Sequence, residues 1–263
     1  MQPVQTAWAL KVQLIAFCTI FRRECLREWQ HTVIAPLVTL VLYLLVFGPI
    51  IGAKIGEMGG GMPYIDFIFP GLVILAIVLN AYNSSALSLY LDKFLNCHEE
   101  WLTASASPQV VIAGLAVGCA MRSLIMVLLL TLVGLMLGLV PIPQYPALAL
   151  VAILGTALAF SYAGIINALL ANTFDQISFV PNLLLVPLTF TGGVFYDISL
   201  LSSTMKGLSL LNPVFYMVDS LRAGMDGNNY LPYWQDVCVV VLLLVSICGT
   251  CWWMVLRGVG LRS

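Results

Sequence analysis

Residues 101–174 read WLTASASPQVVIAGLAVGCAMRSLIMVLLLTLVGLMLGLVPIPQYPALALVAILGTALAFSYAGIINALLANTF, with one charge, Arg122, between Glu100 and Asp175. An apolar run of this length has no water-facing side. It is also too long for one crossing of a bilayer, which takes about 20 apolar residues. The break lies at Pro141-Ile142-Pro143-Gln144-Tyr145-Pro146, where three prolines in six positions exclude helix interior. The stretch therefore holds two spans, Val117–Val140 and Ala147–Leu170.

Outward from it the same reading gives four more. Uncharged runs cover Thr32–Ala53 and Phe67–Leu91 before it. Gln176–Tyr196, with Pro181 and Pro187 inside, and Val237–Leu256 follow it. Backbone amides in lipid must be satisfied within their own segment, so runs of this length cross as helices. The composition agrees: 61% of the 263 residues are hydrophobic and 9% charged, against roughly 25% charged in soluble domains. Mean hydropathy is +1.00. The expectation is an all-α integral membrane protein with six transmembrane helices. It forms a single domain over 1–263, with an interfacial helix at 1–30, the bundle at 31–257 and a tail at 258–263. The opening MQPVQTAWALKVQ lacks the short apolar core and cleavage site of a signal peptide.

Basic residues orient the bundle. With the N-terminus inside, inner segments hold Lys11, Arg22, Arg23, Arg27, Lys93, Arg122, Arg257 and Arg262, and outer ones hold Lys54, Lys206 and Arg222. Both termini are expected in the cytoplasm. The seven cysteines include none in a charged outer loop, so no structural disulfide is expected.

Three segments outside the spans carry pattern. In residues 7–30, Leu14, Cys18, Phe21, Cys25 and Trp29 share one helical face, and Arg22, Arg23, Glu24, Arg27 and Glu28 supply a polar side. Such a helix lies in the membrane interface, either as an anchor or as an elbow that also meets a cytoplasmic partner. Between spans two and three, Asp92, Phe94, Glu99, Glu100, Trp101 and Leu102 mix acids with apolar anchors up to Pro108, as a docking helix does and a plain loop need not. Between spans five and six, the apolar stretch Gly207–Asp219 is too short to cross. It forms either a packed outer cap or a re-entrant exit gate, turned at Asn212-Pro213.

The chemistry that is missing narrows the function. None of the four lysines follows glycine, so the chain has no phosphate-cradling Walker A sequence. No acid lies in an expected span, where ion-coupled carriers place theirs. His31 and His98 are isolated, and no nucleophile has a histidine and acid beside it. Gly48/Gly52, Gly114/Gly118 and Gly134/Gly138 have the spacing of close helix packing.

The order of these features resembles a known family. Phe69-Pro70-Gly71 opens the second span, and Glu100, Leu102 and Pro108 follow it. Gly192-Gly193-Val194-Phe195-Tyr196 ends the fifth. Asn212-Pro213 precedes Tyr216, Asp219, Arg222, Gly224 and Gly227, and the tail reads Arg257-Gly258-Val259-Gly260-Leu261-Arg262-Ser263. Together they resemble the ABC-2 type permeases, in their YadH-like and nodulation-J-like inner-membrane branch. The resemblance implies a permease subunit of an ATP-binding-cassette exporter in a bacterial inner membrane, acting on an amphipathic, lipid-linked, saccharide or drug-like substrate. It implies a second permease copy, two cytoplasmic ATPase subunits that hold the ATP and Mg, surrounding membrane lipid, and no nucleic acid. No cofactor or metal is expected on this chain. The coupling helix would be Asp92–Pro108, and the elbow would carry Arg22, Arg23, Glu24, Arg27 and Glu28. Phe69, Pro70, Leu183 and Pro187 would line the dimer seam and path. Gly192, Gly193, Phe195, Tyr196, Asn212, Pro213 and Tyr216 would form the outer gate. The rival classes are a stand-alone channel or secondary carrier, and a lipid-modifying membrane enzyme. A carrier needs coupling charges in its spans and an enzyme needs clustered ligands; neither is visible.

Overall fold

Helices account for nearly all of the structure, a computed structural model that describes residues 2–26, 33–52, 57–58, 62–95, 107–139, 143–227 and 230–260. In chain order, α1 is Gln2–Leu26 and α2 is Ala35–Leu45, extended by a wide helical turn over Val46–Ile51. A two-residue antiparallel ladder pairs Glu57–Met58 with Met62–Pro63. Then come α3 Tyr64–Phe94, α4 Pro108–Met136, α5 Pro146–Leu170, α6 Phe174–Val180 and α7 Val186–Thr191. The chain closes with α8 Ser203–Leu211, α9 Pro213–Asp226 and α10 Tyr233–Leu256.

Among the described residues, four helices, α3, α4, α5 and α10, are long and apolar enough to cross a membrane. The runs at 32–53 and 176–196 do not form single helices of that length. Proline explains both breaks. It brings no backbone N–H and crowds the preceding turn. Pro49 lies in the wide turn after α2, and Pro181 opens the wide turn Pro181–Leu185 that joins α6 to α7. The helical path nevertheless runs without a gap from Phe174 to Thr191. The third expected span starts earlier than its sequence limits, because Pro108 sits in the first turn of α4 and the uncharged residues behind it continue the helix. It stops where Gly138 turns left-handed, with φ 65°.

The helix α3 is the centre of the bundle and is buried along almost its whole length. It packs chiefly on α5, also on α4 and α9, and α10 packs on α5 from the other side. Gly164 of α5 faces Ser85 and the Tyr82 carbonyl so closely that any side chain there would collide with backbone. The described cysteines are all free.

Candidate functional site

The charged residues gather at the two ends of α3, and a mostly apolar cavity with one polar stripe lies between them. At the end marked by Lys93, α1 lies along α4. Contact is close because Gly114 and Gly118 present no side chain: a Cβ on Gly118 would stand 2.7 Å from Glu24 Cβ, and one on Gly114 3.1 Å from the Phe17 carbonyl. The packed edge of α1 is thus Phe17, Ile20, Phe21 and Glu24. Leu14 and Cys18, from the expected apolar stripe, face away from the bundle. Glu24, expected on the polar side, is fully buried. It accepts from Ser88 Oγ, lies 2.8 Å from Arg23 Nη2, and lies 3.7 Å from Arg122 Nη2. Arg122 also donates to the Glu24 carbonyl. Arg23 reaches on to Asp92 Oδ2 at 2.6 Å. Arg122 is therefore spent on a fixed partner rather than extended to the membrane surface.

The same helix holds the start of α4. Gln13 Oε1 accepts from Ser107 N at 3.1 Å and from Ser107 Oγ at 3.3 Å. Residues 96–106, which include Glu99, Glu100, Trp101 and Leu102, lie outside the described residues, as do Arg27 and Glu28. Their flanks are clear: the chain leaves α3 just after Asp92, tied to Arg23, and returns at Ser107, tied to Gln13. Asp92 is buried and faces inward, whereas Phe94 is 70% exposed and Pro108 half-buried. Lys93 closes the end by donating to the Ala168, Leu169 and Ala171 carbonyls at 2.9, 3.3 and 3.4 Å, the negative end of the α5 dipole.

At the other end, α8 and α9 meet in a corner at Asn212-Pro213. Asn212 makes the corner. Its Oδ1 caps Val214 N at 3.0 Å, and its Nδ2 donates to the Leu188 carbonyl at 2.6 Å and to Thr191 Oγ1 at 3.1 Å. Pro213 opens α9. The Tyr216 hydroxyl donates to the Leu210 carbonyl and the Tyr196 hydroxyl to the Thr191 carbonyl. Phe195 stacks on Phe190 with ring centroids 4.9 Å apart. Gly192 is buried and Gly193 takes a left-handed φ of 74°. Arg222 pins the group: it lies 4.0 Å above the Phe67 ring and donates to the Gly193 and Phe67 carbonyls at 3.2 and 3.4 Å. The far end of α9 is stitched to the start of α5 by Tyr145 N to Gly224 O at 2.8 Å and Gln144 N to Met225 O at 3.0 Å. Burial, and then Asp66, push the Asp226 carboxyl up to about 6, against the pull of Arg222.

Between the ends, a cavity of about 490 Å³ opens among α2, α3 and α7. Its walls include Leu40, Tyr43, Leu79 and Phe190, with Asn80, Asn83 and Ser84 as a polar stripe. Asn80 Oδ1 accepts from Ser123 Oγ at 3.1 Å, which fixes its orientation. Phe69 and Pro70, expected at a dimer seam, are buried inside this one chain. Leu183 and Pro187 are exposed, beside exposed Phe179, Leu184 and Phe190. Sequence reading missed the Asn80 stripe, Asp236, and the pairing of Arg122 with Glu24. The spacing of Asp219, Arg222 and Asp226, by three and four, was the signal that one helix face is charged.

Comparison with known proteins gives the family. The family model described as ABC-2 type transporter matches residues 15–225, from α1 through α9. The Inner membrane transport permease YadH of Escherichia coli (strain K12) is 39% identical over 252 residues, covering 95% of this chain and 98% of the relative. Nodulation protein J of Sinorhizobium fredii (strain NBRC 101917 / NGR234) is 24% identical over 237 residues, covering 85% of this chain and 87% of the relative. The corresponding protein of Neorhizobium galegae is 23% identical over 232 residues, covering 84% and 85%. A match across most of the chain, together with apolar helices long enough to cross a bilayer, places this multi-pass membrane permease in the ABC-2 type transporter family.

Proposed function

We propose that the chain is the membrane-spanning subunit of an ATP-driven exporter and works as a pair of copies with two separate ATPase subunits. The chain crosses six times, with α2 and α6–α7 as the first and fifth crossings. Its Lys93 end faces the cytoplasm and its Arg222 end faces out. ATP and Mg are held by the ATPase subunits. One observation carries the reading: α1 grips both ends of the 96–106 segment, through Arg23–Asp92 on one side and Gln13–Ser107 on the other. Through these two ties, movement of a partner at the segment is passed to α1 and the end of α3. Its Glu99, Glu100, Trp101 and Leu102 provide the acids and apolar anchors for docking. The cargo is amphipathic, since the cavity between α2, α3 and α7 pairs a greasy wall with the Asn80–Asn83–Ser84 stripe. The α8–α9 corner and the 192–196 turn form the exit.

The test is copurification from membranes of the full chain with its soluble ATPase, wild type beside Trp101→Ala. Loss of a buried aromatic anchor often costs about 2 kcal/mol, so association should weaken more than tenfold. ATP hydrolysis by the complex should rise with cargo. A wild-type chain that never retains an ATPase, or transports without one, overturns the reading.

A further inference from the structure

Beside the exit, two acids face each other with no positive charge between them. Asp219 of α9 and Asp236, in the first turn of α10, are both completely buried. Asp219 has its acceptors engaged by the chain linking the two helices. The Tyr230 N–H lies 3.0 Å from both its oxygens, and the Leu231 N–H lies 3.0 Å from Oδ2. Asp236 faces Asp219. Among the described residues, no N–H or O–H reaches either oxygen of Asp236.

The surrounding elements do not supply the missing positive partner. On α9, Arg222 acts on Asp219, but its donors point to the Phe67 and Gly193 carbonyls and it stacks on the Phe67 ring. Asp226 adds another acid on α9, and Asp197 adds negative charge from the turn after α7. The near end of α3 brings Asp66, and α8 brings Lys206 alone. Helices α5 and α7 contain no acid, lysine, arginine or histidine, and Arg122 of α4 is bound to Glu24 at the opposite end. The Tyr230 ring is turned to Phe215. Among the described residues, no three His, Cys, Asp or Glu side chains converge on a metal position. Two buried carboxylates in contact cannot both stay ionised, and the smallest cation that fits between them is a proton.

We propose that Asp236 is a proton-binding site: at neutral pH its carboxyl is protonated and its O–H donates to the Asp219 carboxylate. The shared proton ties α9 to α10. Asp219 in turn grips the Tyr230–Leu231 backbone, so one proton seats the whole outer element on the last helix. Loss of that proton to the outer solution leaves two carboxylates in contact and drives α9 from α10. The site stands on the packing of α9 against α10 and not on what is transported.

Infrared spectroscopy of the full chain in lipid nanodiscs tests it. At neutral pH the wild type should show the C=O stretch of a protonated carboxylic acid. Asp236→Asn should abolish it, and Asp226→Asn should leave it. Asp219→Asn keeps an acceptor for the backbone amides but removes the charged acceptor of the proton, so there the band should shift in frequency. A wild type without the band at neutral pH overturns the proposal, as does a band that survives Asp236→Asn. If Asp236→Asn does not fold, a band unmoved by Asp219→Asn does the same.

Discussion

Glu24 sits where three helices meet, and its charge is balanced from two sides by Arg23 and Arg122. Removing one member of a buried ionic set costs more than the set contributes, because the remaining charge stays in a poor solvent for it. Glu24→Gln keeps the shape and an acceptor for Ser88 but leaves Arg122 uncompensated. We expect a loss of about 3 kcal/mol in stability, read as a lower melting temperature in nanodiscs. Arg122→Met added to Glu24→Gln should recover part of it. At the other end, Asp226 offers a pH signature. Its folded pKa, about 6, exceeds the usual carboxyl value of about 4. Folding therefore favours its protonated form. The contribution is complete below the unfolded value, falls as pH rises between the two, and is constant above. Thermal melts across that window should slope downward in wild type and less steeply in Asp226→Asn, where the contribution of Asp236 remains. None of these partnerships was legible in the sequence. Glu24 and Arg122 are far apart in the chain, and a charge beside other charges reads as a solvated face until packing buries it.

At the scale of elements, the uncharged runs located the helices well, because lipid forbids anything else of that length. The proline-bearing runs were less legible: composition marks them as apolar, but the wide turns that hold Pro49 and Pro181 interrupt them. The edge by which α1 docks was also hidden. Of its apolar stripe, Phe21 reaches the docking edge while Leu14 and Cys18 do not, because that edge is set by bare backbone on α4. Gly114 and Gly118 were visible as a spaced pair but without a partner. Gly118→Val should push α1 outward, since even a Cβ meets Glu24 Cβ at 2.7 Å and the Phe21 carbonyl at 3.1 Å. Overpacking of this kind costs about 1–3 kcal/mol. The ATPase should copurify poorly with this variant while insertion stays normal.

For the whole molecule, the arrangement fixes which surfaces are free to meet a second copy. The face of α6–α7 with Phe179, Leu183, Leu184 and Phe190 is apolar and open, whereas Phe69 and Pro70 are covered by their own chain. In a background lacking native cysteines, Leu183→Cys should crosslink between copies in native membranes and Phe69→Cys should not. Efficient crosslinking through Phe69→Cys would place α3 at the seam and require the bundle to open. Orientation is tested separately: a reporter fused after Ser263 should read cytoplasmic and one inserted near Gly60 should read outside.

The grip of α1 on the 96–106 segment has a mechanical consequence. Gln13 and Arg23 are ten residues apart, about 15 Å along a helix axis. The close contact with Gly114 and Gly118 runs from Phe17 through Phe21 to Glu24, one residue past Arg23. That is a lever with its fulcrum inside its span. In the proposed coupling role, a load on the segment would reach the rod at two points as a couple, and α1 would tilt about the glycine contact rather than slide along it. The tilt is passed through Arg23 and Asp92 to the end of α3 as torque on the helix that forms the axis of the bundle.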